Sequence, residues 1–140
     1  MVHEDTPNDG SLSNRHTADH TEVEQRHLAD HARVSRKHLT AHEDLYARQG
    51  NEHALLADRH AAEHEKRAEE RPVRKVALTS RHAVEHAWME SRHASQLATM
   101  AARHAAERFR MDTQHAIELI RQERRHIQED RRTPPASSGE

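Results

Sequence analysis

The sequence contains no cysteine, and its 140 residues include only one tryptophan, one tyrosine and one phenylalanine. The lack of cysteine excludes disulfide frameworks, thiolate metal sites and cysteine nucleophiles. Since hydrophobic residues make up only 33% of the chain, it lacks the apolar material for a thick globular core. No apolar run is long enough to span a bilayer, and the first residues do not resemble a secretory signal. We therefore expect an extended, all-α, cytoplasmic protein without stable membrane insertion.

Positive and negative charges nearly cancel in this chain, since the formal net charge is −2 when histidine is neutral. Such a weak net charge does not favour nucleic acid as a partner. The 16 histidines make the balance depend on pH, since full protonation would carry the net charge from −2 to +14. Histidine changes its charge between about pH 5 and 8, so the sequence predicts a pH-responsive protein.

From Arg15 onward the chain divides into windows of eleven residues without an insertion, with a consensus close to R-H-A-x-E-H-x-x-Φ-x-x, where Φ is apolar. Positions in this repeat are numbered from one to eleven below. Histidine fills the second position at His16, His27, His38, His60, His82, His93, His104, His115 and His126. It fills the sixth position at His20, His31, His42, His53, His64 and His86. The ninth position is mostly apolar, from Val23 to Met111.

The second, sixth and ninth positions are separated by four, three and four residues, which places them on one face of a helix. Eleven residues over three turns give about 3.67 residues per turn, so a partner helix must follow the face with a slight right-handed supercoil. The fifth-position acids and first-position arginines lie together on one side of this face and predict an ion-pair ladder along the helix.

This pattern resembles the right-handed coiled coils built from eleven-residue (hendecad) repeats. It is also similar, more weakly, to the eleven-residue repeats of late-embryogenesis-abundant proteins, which are charged, poor in aromatics and free of cysteine. The first resemblance implies a right-handed coiled coil or helical bundle that forms a homo-oligomer. The second implies a hydrophilic stress-protection chain that is disordered alone and folds to helix on drying or metal binding.

Helix-breaking residues predict the boundaries. Residues 1–14 and 133–140 are expected to be disordered tails, and residues 15–132 a helical rod with weak points near Gly50 and Pro72. Because the count of eleven runs through Pro72 uninterrupted, we expect a kinked continuous helix there rather than a hairpin.

Five His-x-x-x-His pairs are the candidate metal ligands, since two imidazoles four residues apart on a helix point the same way and can bind one divalent ion. Zinc, nickel and copper all accept such ligands. The ten residues are His16, His20, His27, His31, His38, His42, His60, His64, His82 and His86. A second helix could complete each site with two more histidines. A carboxylate three residues before a histidine could do the same, and this spacing occurs at Glu24/His27, Glu90/His93, Asp112/His115 and Glu123/His126.

Two of these pairs, in HAAEH and HAVEH, match the H-x-x-E-H pattern of a metallopeptidase class. They are copies of a repeat that reads HTADH and HLADH elsewhere, and no cleft-forming fold is indicated around them. We therefore expect no enzyme activity. The sequence favours a self-associating helical protein with a histidine-lined face that binds divalent metal or responds to pH.

Overall fold

The computed structural model describes residues 9–133. Two long helices make up nearly all of this range: α1 spans Asp9–Lys66 and α2 spans Pro72–Arg132. No strand occurs among the described residues, so the all-α prediction is confirmed. Helix α1 begins six residues before the predicted start at Arg15, which makes residues 9–14 helical rather than part of a tail. The remainder of the predicted tails, residues 1–8 and 134–140, lies outside the described residues.

The prediction of a kinked continuous helix at Pro72 was wrong, because the chain turns back between Lys66 and Pro72. The residue before a proline is disfavoured in the helical conformation, and Arg71 is not helical. Pro72 itself is the first residue of α2, where its missing N–H costs no hydrogen bond. The backbone N–H of Lys75 donates to the carbonyl of Arg71 at 3.3 Å and starts the new helix.

The described residues fall into two units. Unit 1 contains the stretch up to Ser35 together with the stretch from Glu107 onward, and unit 2 contains Arg36–Ala106. Within unit 2 the helices run antiparallel, since His60 stacks on His82 and His38 stacks on His104. Within unit 1 the helices are also antiparallel, since His27 pairs with His115 and His16 with His126.

The uninterrupted eleven-residue count is compatible with a hairpin because Arg71 in the turn is itself a second-position residue. His60 and His82 each lie eleven residues from Arg71, on opposite sides of it. When the chain folds back at this point, a second position therefore faces a second position. The eleven-residue count alone does not distinguish this arrangement from a straight helix.

Candidate metal centres and histidine layers

The core of the described residues consists of two positions of the repeat. Every buried side chain is at a second or a ninth position. The ninth-position residues are Val23, Val34, Leu45, Leu56, Leu78, Met89, Met111 and Gln122, and the second-position residues are His38, Gln49, His60, His82, His93 and His126. The sixth position, which we expected in the core as well, is partly or fully exposed at all six histidines. Its side chains therefore lie at the edge of the helix pair.

Second-position histidines of α1 stack face to face on those of α2. In unit 2 the ring centroids of His60 and His82 are 3.6 Å apart with an interplanar angle of 6°. The His38–His104 pair in the same unit has a spacing of 3.7 Å and an angle of 10°. In unit 1 the His27–His115 and His16–His126 pairs have spacings of 3.7 and 3.8 Å. We call each stacked pair, with the side chains that contact it, a histidine layer.

Carboxylates at the fifth position bind these rings from the opposite helix. In unit 2 the Nε2 atoms of His60, His82 and His93 lie 2.8–2.9 Å from carboxylate oxygens of Glu85, Glu63 and Glu52, respectively. An ionised carboxylate only accepts hydrogen bonds, so the ring nitrogen donates. In unit 1 the corresponding distances are 3.0–3.4 Å for the pairs His16–Glu129, His27–Glu118, His115–Asp30 and His126–Asp19.

First-position arginines bind the same carboxylates from the same helix as the histidine. Arg59 and Arg81 pair with Glu85 and Glu63 across unit 2, and Arg92 pairs with Glu52. Arg26 pairs with Glu118 in unit 1. The ion-pair ladder that we predicted along one helix therefore runs mainly between helices, with a longer contact of 3.8 Å between Arg81 and Glu85 inside α2.

These contacts lower the pKa of five of the carboxyl groups below the ordinary value. The hydrogen bond from His82 is the largest cause for Glu63, and the bonds from His60 and His93 are the largest for Glu85 and Glu52. The pKa of Glu118 and that of Asp30 are lowered chiefly by His27 and His115. These five carboxylates therefore remain ionised acceptors at neutral pH.

Sixth-position histidines contact the layers edge-on. In unit 2 the ring of His64 lies 4.9 Å from that of His82 at 86°, and the ring of His86 lies 5.1 Å from that of His60 at 74°. The two members of each predicted His-x-x-x-His pair therefore both contact the opposite helix. The ten predicted ligands lie in layers shared by α1 and α2, and metal binding by them stays a prediction.

Two groups in unit 1 bring ligand atoms within 4.8 Å of one another, close enough to hold a metal ion: His20 with Glu123 and His126, and His31 with Asp112 and His115. Each group combines a sixth-position histidine of α1 with a second-position histidine and a tenth-position carboxylate of α2. The Nε2 atom of His31 lies 3.5 Å from the carboxylate of Asp112, and that of His20 lies 3.9 Å from the carboxylate of Glu123.

Only part of each group was predicted from the sequence. The sequence predicts His20 and His31 as ligands, and it predicts a carboxylate contribution from the spacing of Asp112/His115 and Glu123/His126. The sequence alone does not show that the two parts of each group come together, because they are far apart in the chain and meet only when the helices run antiparallel. The signal that could have found them is the combination of a sixth-position histidine in α1 with a tenth-position acid in α2.

A second feature, in unit 2, is an apolar groove of about 800 Å³ on the arginine–carboxylate side of the helix pair. Leu56 and Met89 are its buried residues, while Leu55 and Trp88 are largely exposed. The Arg59–Glu85 and Arg92–Glu52 ion pairs also line it.

Neither α1 nor α2, over the residues described, has a segment apolar enough to cross a membrane. No protein family, curated protein or solved structure matches this chain.

Proposed function

We propose that this chain is a self-associating helical protein that binds divalent metal between its two helices and releases it in acid. The observation that carries the proposal is the pair of histidine–histidine–carboxylate groups in unit 1. Two imidazoles and one carboxylate form a ligand set that zinc accepts with water in the fourth position, and nickel and copper also bind imidazole well.

The surroundings of the two groups suit metal binding. His115 and His126 direct Nε2 toward Asp30 and Asp19, respectively. A neutral imidazole that donates from Nε2 keeps its lone pair on Nδ1, which is then the atom available to a metal. A carboxylate on the other ring nitrogen orients a ligating histidine and increases its basicity. Asp30 and Asp19 supply this contact from α1, while Asp112 and Glu123 supply the direct carboxylate from α2.

Metal at these groups would stabilise the antiparallel pairing in unit 1, because each group takes ligands from both helices and is absent from an unfolded chain. A ligand that binds only the folded state stabilises it by about 2.7 kcal/mol at a concentration one hundred times its Kd. Acid opposes binding, since protons and metal compete for the same imidazole lone pair.

Calorimetric titration with zinc at pH 7.5 tests the proposal. We expect saturable binding with a Kd in the micromolar range or tighter, together with proton release. The double substitution Asp112→Asn/Glu123→Gln should weaken binding in unit 1 at least about tenfold, because each group loses its charged ligand.

Glu24→Gln is the matched control. Glu24 is an exposed tenth-position acid three residues before His27, but the antiparallel register of unit 1 places Leu119 at the sixth position opposite it. This variant should bind zinc like the unsubstituted chain. Absence of saturable binding in the unsubstituted chain, or equal affinity after the double substitution, would contradict the proposal.

The exposed groove of unit 2 supports the self-association part of the proposal, with a second copy of this chain as the occupant. Its rim contains two arginines and two glutamates in a reciprocal arrangement, so the charges of the surface are complementary to those of an identical surface. Large exposed side chains such as Trp88 are typical of the central residues of protein interfaces.

A further inference from the structure

We propose a third divalent-metal site, in unit 2, formed by His53 of α1 and by Glu90 and His93 of α2. The inference rests on the proposed metal-binding function and extends it to a place where the structure shows two of the three ligands already in position.

The two imidazoles have the geometry seen in unit 1. The ring centroids of His53 and His93 are 5.0 Å apart at an angle of 73°. The corresponding values are 5.0 Å and 85° for His20–His126, and 5.3 Å and 71° for His31–His115. The same edge-on approach of a sixth-position ring to a second-position ring therefore occurs in all three places.

The third ligand occupies the same position of the repeat. Glu90 precedes His93 by three residues, as Glu123 precedes His126 and Asp112 precedes His115. Glu90 is exposed, and the rotamers of exposed side chains interconvert within picoseconds to nanoseconds. Glu123 approaches the rings of His20 and His126 from the same position of the repeat, so we expect a side-chain rotation of Glu90 to bring its carboxylate to His53 and His93.

His93 is also held by an outer carboxylate. Its Nε2 atom lies 2.8 Å from the carboxylate of Glu52, a shorter contact than those of His115 and His126 in unit 1. Arg92 pairs with the same carboxylate, so the hydrogen-bond acceptor of the His93 ring is itself held in place. The lone pair on Nδ1 is left for a metal.

Gln49 fixes the backbone beside this site. It stands at the second position, where the other layers have histidine, and its Nε2 donates to the carbonyl of His93 at 3.4 Å and to Oε1 of Gln96 at 3.2 Å. Gln49 stands where unit 1 has the stacked histidines His16 and His27, so the imidazoles of the proposed site are those of His53 and His93.

Two other edge-on pairs of unit 2 provide internal controls. His42–His104 and His64–His82 have ring distances of 5.1 and 4.9 Å, close to that of His53–His93. The residues three positions before His104 and His82 are Ala101 and Thr79, which cannot supply a carboxylate. The tenth-position acid therefore distinguishes the proposed site from neighbouring pairs of the same geometry.

The test is the zinc stoichiometry of the full chain, measured by equilibrium dialysis at pH 7.5. We expect three ions per chain, two after Glu90→Gln, and three after the control Glu24→Gln. Asp112→Asn/Glu123→Gln should leave one ion, and Ala101→Glu should add a fourth by giving the His42–His104 pair a carboxylate. Circular dichroism of each variant shows whether the helices persist.

The outcomes separate the two proposals. Two ions per chain in both the unsubstituted protein and Glu90→Gln would overturn the third site and leave the proposed function standing. No bound zinc in any variant would overturn both. A second readout uses Trp88, the only tryptophan, which lies two residues from Glu90. Copper should quench its fluorescence in Asp112→Asn/Glu123→Gln and much less in Glu90→Gln; equal quenching in the two variants would contradict the site.

Discussion

Histidine can fill the core position of this protein because a ring face and the Nε2 atom both have partners. In unit 2 the faces of His60 and His82 stack on each other, and each Nε2 donates to a glutamate of the opposite helix. Buried polar groups are tolerated when they are hydrogen-bonded, and these rings meet that condition. A leucine at the same position would bury more apolar surface but would leave Glu63 and Glu85 without their histidine donors.

Acid should destabilise the helix pairing through the carboxylates. The hydrogen bonds from histidine lower the folded pKa of Glu63 and of Glu85. A group with a lowered folded pKa contributes stability above its unfolded pKa, and this contribution is lost as pH falls through the folded pKa. Thermal unfolding should therefore show a decline in Tm once pH falls below about 4.5, the ordinary pKa of glutamate.

The substitution Glu63→Gln/Glu85→Gln tests this origin. The variant should have a lower Tm than the unsubstituted chain at pH 7 and a smaller further decline between pH 5 and 3. Glu43→Gln, which changes an exposed glutamate of the same unit, should follow the unsubstituted profile. An identical decline in the double variant would show that other groups cause the loss.

Gln122 is the exception among the buried residues of unit 1. Its side chain is 1% exposed, and its Oε1 atom accepts no hydrogen bond from any described residue. The other buried ninth positions are apolar, and the register of unit 1 places Gln122 at the level of Val23. Because an unsatisfied buried acceptor costs about 1–3 kcal/mol, Gln122→Met should raise the free energy of unfolding by about 1–2 kcal/mol.

Chemical denaturation measures this change, and Gln49→Met is the control. Gln49 is also a buried glutamine, but its amide donates to His93 and Gln96. The same substitution there should be neutral or destabilising. Stabilisation at both positions would indicate that added apolar surface, rather than the unsatisfied oxygen, is responsible.

At the scale of the helices, the eleven-residue repeat places few apolar residues in the core. The core is therefore thin, and it extends along both long helices. Helix α1 continues through Gly50, where the sequence predicted a weak point. Glycine in a helix interior is less stable than alanine because the unfolded chain loses more conformational freedom on folding. A Cβ added at Gly50 meets nothing within 4 Å.

Gly50→Ala should therefore raise the free energy of unfolding by about 0.5–1 kcal/mol. Ala54→Gly, at an exposed position one turn later in α1, should lower it by a similar amount. Urea unfolding followed by circular dichroism measures both. Loss of stability in Gly50→Ala would show that the helix is not formed at this position in solution.

At the scale of the whole molecule, the pairing of α1 with α2 makes the helicity of each half of the chain depend on the other half. The apolar flank is thicker in residues 73–132 than in residues 15–70, which by itself would favour independent association of residues 73–132. In each unit, however, histidines of one half stack on histidines of the other. Both halves should therefore have lower helicity when separated than in the full chain.

Self-association is tested on the full chain. Trp88 is 75% exposed in the groove of unit 2, and removing a central interface tryptophan costs about 2 kcal/mol or more. Trp88→Ser should weaken self-association about tenfold or more in sedimentation experiments at pH 8 with and without zinc. Phe109→Ser removes an exposed aromatic residue of unit 1 and serves as the control. A monomer at every concentration would refute self-association, and a coil spectrum in plain buffer would favour the stress-protection alternative.

The sequence alone determined the helical class and the faces of the helices. The period of eleven identified the second, sixth and ninth positions as the core face, and the described structure buries residues at the second and ninth of these. A periodic pattern has this power because burial repeats along a helix with a fixed angle per residue. The sequence also identified histidine and carboxylate side chains as the available metal ligands, since the absence of cysteine excludes thiolate ligands.

Only the tertiary structure decided what each face is buried against. The period is the same for a straight helix and for a hairpin that turns at Arg71, so the sequence favoured the wrong one. The antiparallel register then selects the partners: Glu85 for His60, Asp112 for His31 and Glu123 for His20. These contacts join residues that are distant in the chain, and a periodicity records only the angle of each side chain about its own helix.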